Sequence, residues 1–371
     1  MKYYSSFFYI LFFTITSMQG QFTEIPDIKF EEKLIDLGLD TSMDGKVANT
    51  SIENVTILNI SDSDISDLTG IEGFTDLTRL NCDDNDIERL DFTDNSNLER
   101  LFCDNNSLVS IDVTNNIVLE HLYCSTNQLT SIDVTNNTSL KYFVFFGNQL
   151  TTIDISNNTI LKYISADYNE LEGLDVNNNT FLQDLLCNYN NISSLDISNN
   201  TELQYLNCSS NQLTSLDITQ NSFLQNLFCE SNKLTSLNLK NSNNETLDNF
   251  NGENNPALNC IQVDNVDNSS IRSNWIKDAS ASYSTFCSTA GITSIGLLNN
   301  IGLLRFKNKK IEIKTALDLD FKLYSIHGQE VLKGNTIENN TILRLDRFSD
   351  GLYILILIYK NVQVSKKFLL H

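Results

Sequence analysis

The sequence predicts a mainly β chain built as a solenoid of stacked 21-residue turns, with a helical N-terminal cap and a small antiparallel β-sandwich at its C-terminal end. Three observations carry that reading. A leucine recurs every 21 residues from Leu77 to Leu224. Two asparagine columns run in phase with it. Near residue 290 the repeat is gone and the charge changes sign.

Read from Leu77, the frame is L-x-x-L-x-C-x-x-N-x-L-x-x-L-D-V-x-x-N-x-x. Its first position is Leu77, Leu98, Leu119, Leu140, Leu161, Leu182, Leu203 and Leu224. Its ninth runs from Asn85 through Asn106, Asn127, Asn148, Asn169, Asn190 and Asn211 to Asn232. A second column runs from Asn95 to Asn221. A 22-residue turn from Val55 precedes the regular ones, and an altered turn with Leu247, Phe250 and Asn255 follows a two-residue insertion. One turn alone cannot bury its apolar side, but stacked turns share a continuous core. Within L-x-C, alternation points Leu and Cys inward and their neighbours outward. The asparagine amides are placed to satisfy backbone groups that the turns would otherwise orphan.

These columns resemble the leucine-rich-repeat family, with Cys in place of the third leucine of L-x-x-L-x-L-x-x-N. The resemblance covers residues 55–260. It implies a right-handed solenoid with a parallel sheet along one face. So short a turn leaves little room for a convex helix, so extended or 3₁₀ segments are expected there.

The solenoid ends need covers. Residues 21–54 are expected to form the N-terminal cap, with helical periodicity over 28–39. Residues 261–291 are expected to form the C-terminal cap, with a short helix over 271–279 that contains Trp275. Before the first cap, residues 1–20 read as a signal peptide: one lysine, a short apolar run over 7–15, then small and polar residues. That run is too short to span about 30 Å of hydrocarbon. No other stretch is long enough, so the mature chain is expected to have no membrane span.

Charge separates the chain further. Residues 1–291 hold 13 Lys and Arg against 40 Asp and Glu, whereas residues 292–371 hold 12 against 7. A net charge of −22 argues against a nucleic-acid partner, since phosphate binding needs clustered cations.

Six of the eight cysteines share one column: Cys82, Cys103, Cys124, Cys187, Cys208 and Cys229. Phe145 and Ala166 fill the same column elsewhere, and no histidine accompanies it. They read as small buried hydrophobes rather than a metal or redox ladder. Cys260 and Cys287 bracket the C-terminal cap, and an exported chain permits a disulfide between them.

Residues 292–371 alternate as short strands over 310–314, 321–325, 341–345, 352–359 and 363–369. The stretches FKLYSIHGQEV and LDRFSDGLYILILIYKNVQVSKKFLL resemble the C-terminal sorting domain of proteins exported by the type IX secretion system of Bacteroidetes. Gly351 and Tyr353 with the basic pair Lys366 and Lys367 carry the likeness, although the Tyr-Pro-Asn-Pro opening is absent. The resemblance implies export to the cell surface or medium, with the type IX machinery as a partner.

The outward positions of the sheet are where turns differ. They collect Phe102, His121, Tyr123, Tyr142, Phe146, Tyr163, Tyr168, Tyr189, Tyr205 and Phe228. Exposed aromatics at rung spacing suit a protein partner or sugar rings. The alternative is cross-strand packing that stiffens the sheet. The expected function is therefore adhesion or recognition of a protein ligand, with carbohydrate capture or a structural surface-matrix role as alternatives. Asp91, Asp112, Asp133, Asp154, Asp175, Asp196 and Asp217 form another column, which either caps turn amides or bridges Ca²⁺. The only histidines are His121, His327 and His371, and no Gly-x-Ser-x-Gly, phosphate loop or His-Glu-x-x-His occurs. No enzymatic activity, metal or cofactor is expected.

Overall fold

The structure is a computed structural model describing residues 22–267, 272–285, 287, 303–307, 309–315, 318–326, 328–336, 341–359 and 362–370. The expected signal peptide, His327, His371 and the opening of the C-terminal domain lie outside the described residues. The chain divides into two compact units, residues 1–192 and 193–371. That division falls inside the repeats rather than at the charge change. In a solenoid each turn contacts only its neighbours, so a long stack has no natural seam.

The first unit opens with strand Phe22–Glu24, antiparallel to Lys46–Ala48, and helix Ile28–Asp36. Asp27 caps the helix: its Oδ1 accepts from the amides of Lys29 and Phe30 at 2.8 and 3.0 Å. Its Oδ2 accepts from the Ser66 amide, the Ser66 hydroxyl and the Asp67 amide at 2.9, 2.9 and 3.0 Å. One carboxylate thus ties the cap to the first turn. Buried Glu31 braces the cap internally, its Oε1 accepting from the amides of Asp44 and Gly45 at 2.8 and 2.6 Å.

Strands Ile57–Asn59, Arg79–Asn81, Arg100–Phe102, His121–Tyr123, Tyr142–Val144, Tyr163–Ser165 and Asp184–Leu186 follow, paired in parallel and in register. The middle residue of each points inward, so Leu80, Leu101, Leu122, Phe143, Ile164 and Leu185 form one fully buried row. At the strand exits, Asn127 shows how the first asparagine column works. Its Nδ2 donates to the carbonyls of Cys103, Cys124 and Ser125, and its Oδ1 accepts from the Leu108 amide at 2.9 Å. In the second column, Asn137 Nδ2 donates to the carbonyls of Val113 and Asn116, both at 2.9 Å. The return segments are tight turns, with a 3₁₀ helix at Ile71–Gly73 and a second parallel pair, Arg89–Asp91 with Ser110–Asp112.

The second unit repeats the plan. Tyr205–Asn207, Asn226–Phe228, Asn249–Gly252 and Trp275–Lys277 pair in parallel. Ser215–Asp217, Ser236–Asn238, Cys260–Gln262 and Ser282–Ser284 form a second row. The helix expected over 271–279 is a strand instead; Ile271 itself is outside the described residues. Trp275 takes the inward place opposite Phe250, with its Nε1 donating to the Leu247 carbonyl at 2.8 Å. Ile276 faces outward, so the period there is two rather than that of a helix. Cys260 and Cys287 form a disulfide with Cα atoms 5.6 Å apart.

The C-terminal segment has two antiparallel sheets. Leu303–Lys307, Lys310–Lys314 and Thr341–Arg344 make one. Glu330–Asn335, Asp320–Ser325, Gly351–Tyr359 and Val362–Leu370 make the other. Ile311, Ile313 and Leu343 of the first share one core with Phe321, Leu323, Leu355 and Leu357 of the second, which is the expected sandwich. The strands at 303–307 and 330–335 add to those expected.

Candidate functional site

The flanking residues of each strand point out of the sheet. In the first unit they form a ribbon of rings. The Arg79 guanidinium lies 5.1 Å from the centre of the Phe102 ring. Phe102 meets Tyr123 at 4.9 Å, and His121 stacks on Tyr142 at 4.5 Å and 9° from parallel. His121 also reaches Tyr123, and Tyr142 reaches Tyr163, both at 6.4 Å. These rings were expected to be exposed. Each is instead half-buried, because neighbouring rings cover its faces. Burial, with Arg100 beside it, pushes the His121 imidazole below its ordinary range, and burial raises the Tyr123 phenol. In the second unit Tyr205 and Phe228 make a similar pair at 5.6 Å.

A second group of rings lies just past the strands and is far more open. Phe146, Tyr168 and Tyr189 are 40%, 55% and 51% exposed. Tyr168 and Tyr189 stack at 4.4 Å and 9° from parallel. Both have left-handed backbone, with φ of 52° and 53°. The equivalent residues in other turns, also left-handed, are Asp84, Asn105, Thr126, Gly147, Ser210, Ser231 and Asn254. The fold demands that conformation, since it lets the amide reach the next turn: Tyr168 N donates to the Asn188 carbonyl at 3.0 Å. Asn, Asp and Gly accept such a backbone readily, whereas a bulky ring there is strained.

Carboxylates line the same region. Asp83 Oδ1 accepts from the Asp104 amide at 2.7 Å, and burial pushes its carboxyl up to about 6. Asp167 is buried between the Ser165 hydroxyl at 2.9 Å and the Asn188 amide at 3.0 Å. Burial raises Asp167 and likewise Asp184.

The aspartate column on the return side is engaged locally. Asp91, Asp112 and Asp133 each accept from the amide and hydroxyl of the Thr two residues on, the hydroxyl at 2.6 Å. Those bonds hold the three carboxyls below their usual range. Asp154, Asp196 and Asp217 accept from Ser156, Ser198 and Thr219 amides, and Asp175 from the Asn177 amide. Among the described residues no cluster of three or more His, Cys, Asp or Glu is arranged to hold a metal ion.

The column cysteines are buried free thiols. Cys82 and Cys103 donate to the next turn's carbonyls, Phe102 and Tyr123, at 3.3 and 3.2 Å. Burial raises these thiols far above their ordinary value.

In the C-terminal segment Tyr353 is buried, and its hydroxyl donates to the Ser349 carbonyl at 2.9 Å. Lys366 and Lys367 are exposed on the last strand. Among the described residues no helix is long and apolar enough to cross a membrane.

Residues 307–371 match the family model described as the secretion system C-terminal sorting domain. The tail is a type IX sorting domain. It marks the chain for export to the cell surface or the medium. The solved structures similar to the chain include the functional domain of InlJ from Listeria monocytogenes, described as including a cysteine ladder. It is 22% identical, covering 95% of this chain and 99% of that one, with a TM-score of 0.52. An internalin from Listeria monocytogenes (inlF) is 21% identical over 71% of this chain and 96% of its own, with a TM-score of 0.42. The first likeness bears on the fold, a leucine-rich-repeat solenoid, and carries over no ligand. No curated protein matches the chain.

Sequence reasoning placed all ten aromatics on one stripe and did not separate the ribbon from the loop edge. The signal lay in the column Asp84, Asn105, Thr126, Gly147, Tyr168, Tyr189: small and polar residues mark a left-handed position, and the two tyrosines break the rule. The contact of Arg79 with Phe102 was missed as well.

Proposed function

We infer that this chain is an exported binding protein that recognises a protein partner through the aromatic ribbon and loop edge of its repeats. The supporting observation is that ring after ring follows outward along one face, Phe102, Tyr123, His121, Tyr142 and Tyr163, with Phe146, Tyr168 and Tyr189 beside them. Packed rings present area without losing much side-chain entropy on binding. The ribbon supplies a stiff platform and the open edge supplies reach. Lys366 and Lys367, exposed on the last strand, together with Gly351 and the buried Tyr353, are assigned to recognition by the exporter. Tyr353 acts there through the shape of the sandwich, since its ring is in the core.

The test is to pan a displayed protein library and a glycan array against the full chain. Proteins selected on the array of library clones are expected to lose binding when Tyr123, Tyr142, Phe146, Tyr163 and Tyr168 become Ser. Intact binding after those changes removes the face from consideration. Selective retention on the glycan array, with no protein selected, replaces the reading with carbohydrate capture.

A further inference from the structure

The open edge has a chemistry of its own. Tyr168 and Tyr189 are the bulky members of a left-handed column, stacked and about half exposed. An exposed ring held in costly backbone points to use rather than to folding, since Asn would serve the fold better. The charge around the pair is one-sided. Buried Asp167 directly precedes Tyr168, exposed Glu170 follows it by two residues, and half-buried Asp184 opens the strand five residues before Tyr189, in register with Tyr163. From Tyr142 to Ile192 the sequence holds six carboxylates against the single cation Lys162. Among the described residues neither Asp167 nor Asp184 has an ion-pair partner. Yet both carboxyls are partly withdrawn from water. The same sheet already shows what such a surface accepts, in the guanidinium of Arg79 over Phe102.

We propose that Phe146, Tyr168 and Tyr189, with Asp167, Glu170 and Asp184, dock a basic segment of a protein partner, an arginine or lysine side chain lying on the tyrosine rings. This rests on the protein-binding reading and names the chemistry of the partner. Cation and ring attract through the ring quadrupole, Arg more often than Lys. The carboxylates then gain the counter-charge that the fold withholds. A neutral sugar would use the rings but leave the carboxylates uncompensated.

The probe is a synthetic peptide of alternating Arg and Gly, compared with its citrulline twin, titrated onto the full chain at physiological salt. Citrulline keeps the shape and removes the charge. The test variant is Tyr168→Asn with Tyr189→Asn, which suits the left-handed backbone and so keeps the fold. Asp184→Asn is the second variant, and thermal melting checks folding in each. The arginine peptide is expected to bind, the citrulline peptide to bind far less, and the double tyrosine variant to weaken arginine binding by about tenfold. Asp184→Asn is expected to weaken it several-fold without changing the melt. Equal binding of the two peptides, or an unchanged affinity in the folded double variant, overturns the proposal. So does a glycan that binds wild type and is lost in the double variant. If a selected protein partner needs Tyr123 and Tyr142 but not Tyr168 and Tyr189, the edge assignment fails while the protein-binding reading stands.

Discussion

His121 stacks on Tyr142 with ring centres 4.5 Å apart, and its burial in that ribbon, with Arg100 beside it, favours a neutral imidazole. Burial and the charge of Arg100 lower its folded value below the ordinary 6.5, with Glu120 opposing and Lys141 and Arg79 adding to the effect. The unfolded chain therefore takes up the proton first as pH falls. Stability is full above the unfolded value and declines as pH falls from there toward the lowered folded value. Asp83, raised to about 6, works with the opposite sign in the same window, so the comparison must be between proteins. His121→Phe is expected to show a smaller drop in melting temperature than wild type between about pH 7.5 and about pH 5. Parallel curves would show that His121 does not titrate against the stack.

Asp27 joins the helix cap to Ser66 through five hydrogen bonds. Burial works against its charge, but the bonds from Ser66, Phe30 and Asp67 outweigh it and hold the carboxyl low. Asp27→Ala is expected to lower stability by about 1–2 kcal/mol, the range for a lost helix cap. The contribution of the carboxylate is present above its unfolded value, near 3.9 in ordinary chains. It is lost as pH falls through the lowered folded value. Urea melts of wild type and variant should therefore converge in acid; a constant gap down to the lowest folded pH would contradict the assignment.

The repeat was legible because its Leu, Cys and Asn columns each answer one physical demand: an inward apolar row, a small inward residue and a turn that needs amide partners. The outward direction of Tyr142 and Tyr163 was legible for the same reason. Which rings touch was not. Adjacent rungs are about 4.8 Å apart, so the lean of each side chain decides whether it stacks or stands free. Trp275 was misjudged because so short an apolar run fits either a helix or a strand.

The six column cysteines are expected to resist thiol reagents in the native protein and react only on unfolding. The thiolate is the reactive species, and burial raises the thiols of Cys82, Cys103, Cys124, Cys208 and Cys229 far above the solution value, while Cys187 is equally buried. The Cys260–Cys287 disulfide leaves no other thiol in the chain. A thiol count with a chromogenic disulfide should be near zero in buffer and near the full complement in guanidinium. Rapid native labelling of Cys103 would mean that the solenoid opens locally. Closing the loop between Cys260 and Cys287 should itself contribute about 3–4 kcal/mol.

Thr126 occupies the left-handed column at φ 51°, exposed, with its amide donating to the Phe146 carbonyl at 2.8 Å. A β-branched residue is poorly suited to that backbone. Thr126→Asn keeps the amide bond and relieves the strain, so it is expected to stabilise the protein by about 1 kcal/mol. Gly147, one turn on at φ 67°, tests the opposite sign. Gly147→Val puts a branched side chain where none fits the backbone, and a loss of about 1–2 kcal/mol is expected. Both are read as shifts in the urea midpoint at constant slope. If Thr126→Asn is neutral and Gly147→Val is tolerated, the column is not under backbone strain. Tyr168 and Tyr189 are then held at no cost to folding.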